Sequence, residues 1–141
     1  MPPAPCPICS RWDDDADLRI VEFPYTFVTL NRDQFFPGYC FVFTRDHVTE
    51  LFHLTPAARR GVMEEVSRVA EALHRCFSPT KINYELIGNI APHIHWHLIP
   101  RFATDPLWPR PVWSEPHEPQ ELSPLQCGEM IASIRSCLED R

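Results

Sequence analysis

The chain has 141 residues, with 13 Lys and Arg against 19 Asp and Glu, for a formal net charge of −6. That length fits one domain able to bury a substantial core. A composition of 44% hydrophobic and 23% charged residues excludes disorder as the main state. The acidic balance argues against duplex nucleic acid as partner, since phosphate backbones require a basic footprint, but leaves room for a small phosphorylated ligand. No apolar run approaches the roughly 20 residues needed to cross a bilayer, so no membrane partner is expected. The start, Met1-Pro2-Pro3-Ala4-Pro5, lacks the basic and apolar regions of a signal peptide, and the expected location is cytoplasmic. Of the six cysteines only Cys6 and Cys9 are close in sequence; the other four read as reduced and buried.

In chain order, Leu18 to Phe23 reads as a first strand and Phe27 to Leu30 as a second. Phe36-Pro37-Gly38 is a turn, and Tyr39 to Thr44 a third strand. Residues 56–77 are predicted to be a long helix, with Thr55 as N-cap, Pro56 in the first helical position, and Val62, Val66, Val69 and Leu73 on one apolar face. Ile82 to Ile87 and His93 to Ile99 read as two further strands. Ser123, with Gln126 three residues on, opens a final helix through a capping box. This order predicts a single α+β domain over 1–141, with a five-stranded, mainly antiparallel sheet and two helices. Its core spans about 6–101, and a Pro- and Trp-rich tail with the last helix occupies 102–141.

The stretch with chemistry is Pro92-His93-Ile94-His95-Trp96-His97-Leu98-Ile99-Pro100-Arg101. Strand side chains alternate, so His93, His95 and His97 share one face, about 6–7 Å apart, while Ile94, Trp96 and Leu98 anchor the other. Imidazole near its ordinary pKa of about 6.5 can serve as nucleophile, acid, base or metal ligand. A metalloenzyme built on these histidines is the rival reading, but no Asp or Glu follows closely enough to complete such a site.

His93-Ile94-His95-Trp96-His97-Leu98-Ile99 resembles the His-φ-His-φ-His-φ-φ signature of the histidine triad superfamily, φ being apolar. Asn31-Arg32, Phe36-Pro37-Gly38, Arg45-Asp46-His47 and Gly88-Asn89 are similar to further family features. The tail from Asp105 to Trp113 resembles a bacterial subgroup related to diadenosine tetraphosphate hydrolases. The resemblance implies that His95 attacks the α-phosphorus of a purine nucleotide or nucleoside phosphoramidate. A covalent nucleotidyl-histidine would form and then be hydrolysed to a nucleoside monophosphate. It implies that His93 and His97 complete the catalytic face, that His97, Asn83 and Asn89 contact phosphate, that Asn31 binds ribose, and that Phe27, Leu30 and the region of Ile8 wall the base. The family commonly carries Ser or Thr where this chain has Ile90. A nucleotide-binding adaptor with little turnover and a dinucleoside polyphosphate phosphorylase are the alternative functions.

Cys6-Pro7-Ile8-Cys9 has the spacing of a metal-ligand pair. The resemblance implies completion by His47 and His93 as a structural zinc site; the chemistry itself asks for no cofactor. It also implies a homodimer sharing a ten-stranded sheet, with the strand at Ile82–Ile87 and the long helix at the interface and the tail crossing to the partner's site.

Overall fold

The protein is described by a computed structural model over residues 5–140. Five strands form one antiparallel sheet: β1 (Arg19–Glu22), β2 (Thr26–Leu30), β3 (Cys40–Thr44), β4 (Lys81–Glu85) and β5 (His95–Arg101), in the spatial order β1-β2-β3-β5-β4. A short helix, α1 (Arg11–Asp14), precedes the sheet. The long α2 (Pro56–Phe77) connects β3 to β4, and α3 (Pro124–Glu139) ends the chain. The last two strands are offset from the expected spans. The strand at 82–87 ends at Glu85, ahead of Gly88, which holds φ at +79°. The triad strand pairs from His95 onward, with His93 just before it.

The long helix forms where its caps and stripe place it. The Ala58 N–H donates to Thr55 Oγ1 at 3.1 Å, satisfying one of the free donors of the first turn, an N-cap typically worth about 1 kcal/mol. Pro56 lacks an N–H where none is needed. At the other end Ser78 takes a left-handed conformation and its N–H reaches back to the His74 carbonyl. The α3 capping box is complete: Gln126 N–H donates to Ser123 Oγ and Ser123 N–H to Gln126 Oε1.

The sheet separates two cores. On one face α2 and α3 cover Val28, Leu30, Cys40, Val42, Trp96 and Leu98. The other face carries Phe41, Phe43 and Ile99. It is covered from one side by the N-terminal segment, through Ile8 and Trp12, and from the other by the tail, through Leu107 and Val112. The triad lies on this second face. Glu65 ties the helix layer to the sheet from within: its carboxylate, 6% exposed, accepts from Thr26 Oγ1 at 2.7 Å and from the Tyr25 N–H. All six cysteines are free thiols. Among the described residues no helix is long and apolar enough to cross a membrane.

Candidate active site

Strand register sets the histidine face. His95 stands opposite Phe43 and His97 opposite Phe41 across β3, while Glu85 of β4 stands opposite His97 on the other side. His93, His95 and His97 are 1%, 8% and 7% exposed. The rings of His95 and His97 meet nearly edge to face at 4.9 Å. Beside them opens a cleft of about 290 Å³, lined by residues 87–91, His95, His97 and Trp113.

Each imidazole has one nitrogen committed to the protein. His95 Nδ1 lies 2.7 Å from the His93 carbonyl oxygen. A carbonyl can only accept, so the proton sits on Nδ1 and Nε2 carries a free lone pair. Burial, opposed by that hydrogen bond and assisted by the Arg11 charge, moves the His95 pKa below its ordinary value. The ring is therefore neutral at neutral pH, with an oriented lone pair on Nε2. His97 Nδ1 lies 2.6 Å from the Tyr39 hydroxyl. Burial raises the Tyr39 pKa, so the phenol keeps its proton, and it has no other acceptor among the described residues. Tyr39 thus donates to Nδ1, leaving the proton of neutral His97 on Nε2. Burial, then the neighbouring His95 and Arg11, lower the His97 pKa to about 4.

His93 plays a different part. Its Nε2 donates to the Thr44 carbonyl at 2.7 Å, which turns the lone pair on Nδ1 toward Cys6 Sγ at 3.6 Å and Cys9 Sγ at 3.5 Å. Cys9 Sγ is also 3.2 Å from His47 Nδ1. The four ligand atoms lie within 4.8 Å of one another. Tetrahedral zinc with bonds of about 2.0–2.3 Å requires ligand separations of about 3.3–3.8 Å. The donor set and the carbonyl that fixes the His93 tautomer both fit a structural zinc, and the set leaves no ligand position for substrate.

The other expected contacts divide. Asn89 lines the cleft, and Ile90 stands beside it fully exposed. Asn83 does not line it: its Oδ1 accepts from Arg101 Nη1 at 2.9 Å, and Arg101 also pairs with Asp105. Asn31, at the end of β2, donates through Nδ2 to the Asp33 carbonyl and lies outside the cleft lining. Phe27 shares the triad face, but Trp12 stacks on its ring at 4.5 Å and the Arg45 guanidinium lies over it at 4.6 Å. Leu30 is a correction. It is fully buried on the opposite face, under the helices with Cys40 and Leu98, and cannot wall a base beside the triad.

Within the chain, the tail packs against the site. Trp113 packs edge-on against His97 at 5.3 Å and donates through Nε1 to Glu85, whose pKa burial raises. Sequence reasoning missed Arg11, whose guanidinium carbon sits 4.4 Å over Phe41, and Tyr39 as partner of His97. Alternation puts Tyr39, Phe41 and Phe43 on one face, but only the packing of side chains between β3 and β5 reveals which histidine each one meets.

Comparison with known proteins agrees with this geometry. The HIT domain family model matches residues 14–104. A histidine triad protein from Bradyrhizobium japonicum superposes with a TM-score of 0.80 at 27% identity, covering 89% of this chain and 94% of its own. One from Marinobacter aquaeolei gives 0.79 at 28% identity, covering 88% and 90%. Among curated proteins, the asymmetrical bis(5'-nucleosyl)-tetraphosphatase of Schizosaccharomyces pombe is 28% identical over 81 residues, which cover 54% of this chain and 44% of that relative. The aligned region thus spans under half the length of the curated relative. With the family match extending over most of the sequence and the three histidines on one strand face, the chain belongs to the HIT domain family.

Proposed function

We propose that this protein is a nucleotide hydrolase or nucleotidyl transferase that works at the α-phosphorus through His95. The observation that carries the reading is the hydrogen bond from His95 Nδ1 to the His93 carbonyl, which leaves Nε2 unprotonated and oriented beside the cleft. In the first step the Nε2 lone pair forms a bond to phosphorus while the bond to the leaving group breaks. A polyphosphate leaves as its anion; an amine leaves as the neutral amine, its nitrogen having taken up a proton from solvent before the P–N bond breaks. In the second step water attacks phosphorus, the P–N bond returns its electron pair to Nε2, and the water proton is released. Dividing one displacement into two lowers the barrier of each.

The other residues hold and orient. The Nε2–H of neutral His97, set by Tyr39, donates to a nonbridging phosphate oxygen, where negative charge grows in the transition state. Asn89 supplies an amide to the phosphate, and the Trp113 ring offers a flat wall to a base or leaving group. Asn31 remains the proposed ribose contact, which requires its side chain to exchange the Asp33 carbonyl for a hydroxyl. A zinc ion held by Cys6, Cys9, His47 and His93 would brace the start of the triad strand and takes no part in the reaction. The substrate class is nucleoside phosphoramidates or dinucleoside polyphosphates, in line with the tetraphosphatase relative.

A slow, adaptor-like binder is the second reading. It is favoured by Ile90, which projects a fully exposed apolar side chain from the cleft wall and offers phosphate no hydrogen bond. Monophosphate release from adenosine 5'-phosphoramidate and from diadenosine tetraphosphate separates the two. The hydrolase reading predicts turnover of at least one, lowered by roughly three orders of magnitude or more in His95→Ala, with nucleotide affinity kept within about tenfold. Tight nucleotide binding with no turnover of either would support the adaptor.

A further inference from the structure

Among the described residues, no lysine or arginine lines the cleft beside His95 and His97, although the substrates proposed above are anionic and the chain carries a net charge of −6. One cation does reach this face from outside the lining. The guanidinium carbon of Arg11 sits 4.4 Å above the Phe41 ring, and that ring packs at 4.9 Å from His97 and 6.1 Å from His95.

Arg11 has donors to spare. Its ion pair with Asp15 is loose, at 3.6 Å, and its Nε is buried with no hydrogen-bond partner among the described residues. A buried donor left unpaired is costly, and an anion that accepts from it removes that cost. Arg45 is more fully engaged, giving Nε to the Phe23 carbonyl and Nη2 to Glu22; Arg101 gives Nε to Asp105 and Nη1 to Asn83, with its Nη2 also unpaired among the described residues. Position also fits. Arg11 follows Cys9 by two residues, so the segment pinned beside His93 and His47 delivers the guanidinium to the triad face, and Trp12 stacking on Phe27 holds that segment down. Arg11 lies outside residues 14–104, the stretch that matches the family.

We propose that Arg11 is a phosphate-binding residue of this active site, its planar fork receiving nonbridging phosphate oxygens of the nucleotide beside His95 and His97. This inference rests on the nucleotide reading above. Guanidinium suits the task because it presents paired donors at the spacing of two phosphate oxygens and keeps its charge at any working pH.

Calorimetric titration with AMP and with adenosine tests it, since the two ligands differ only by the phosphate. In Arg11→Met the affinity for AMP should fall tenfold or more while that for adenosine stays within twofold. Arg11→Lys, which keeps the charge and the fold but loses the fork, should fall threefold or more for AMP alone. Unchanged AMP affinity in both variants overturns the proposal. So does a parallel loss of AMP and adenosine binding, the mark of a purely structural role. A wild-type protein that neither binds AMP nor turns over a phosphoramidate removes the nucleotide reading and this inference with it. A wild-type protein that does both, with Arg11 variants to match, removes only the role of Arg11.

Discussion

His97 is buried at 7% exposure and held neutral by its surroundings, with the Tyr39 hydroxyl on one nitrogen and the cleft at the other. Its folded pKa of about 4 lies below the ordinary value of about 6.5 expected when unfolded. Between those values the unfolded chain binds the proton and the folded chain does not. This group's contribution to stability is therefore present above pH 6.5 and is lost as pH falls toward 4, with a slope of at most about 1.4 kcal/mol per pH unit. Urea unfolding across that window should show the decline, and His97→Gln, which cannot take up a proton, should flatten it. Tyr39→Phe removes the group that selects the His97 tautomer. Nitrogen NMR should then show a shifted balance between Nδ1–H and Nε2–H forms, with turnover lowered about tenfold, whereas an unchanged balance would release Tyr39 from this role.

At the scale of elements, the Cys6, Cys9, His47 and His93 cluster joins the segment before β1 to the start of the triad strand, beside the packing of Ile8 and Trp12. Metal analysis of protein purified without added metal should find close to one zinc per chain, and chelation should lower the melting temperature. A metal-free protein of full stability would contradict the structural zinc. Much of this layer was legible in the chain. The caps and apolar stripe place α2 at Pro56–Phe77, and the capping box places the start of α3. The period of two along 93–99 puts three histidines on one face. The same period was enough to separate Phe27 from Leu30, which sit three residues apart and must point to opposite sides of the sheet. Asn83 was not legible in this way, because its bond to Arg101 depends on the β4–β5 register. Nor was the return of Trp113 to Glu85, 28 residues away in sequence, or the approach of Arg11 to Phe41. Local pattern fixes which face a residue takes, and long-range packing fixes what it meets there.

At the scale of the molecule, β4 is an edge strand, hydrogen-bonded among the described residues to β5 alone. It and the residues after it expose Tyr84 at 51%, Leu86 at 38% and Ile87 at 49%. An open apolar edge of this kind is a template for pairing. We propose that two chains join there about a twofold axis into a ten-stranded sheet, the commonest closed symmetry. Light scattering at micromolar concentration should give twice the chain mass, and Tyr84→Lys should shift it toward one. Since residues 87–91 both follow this edge and line the cleft, the monomeric variant should also lose activity. The claim on which the whole account turns is the bond between His95 and phosphorus. Mixing the protein with adenosine 5'-phosphoramidate, quenching under alkaline conditions that preserve phosphohistidine, and mapping peptides by mass spectrometry tests it directly. An adenylyl group is expected on His95 in the wild type and none in His95→Ala; an adduct on another residue, or turnover with no adduct at any quench time, would rule out His95 as the nucleophile.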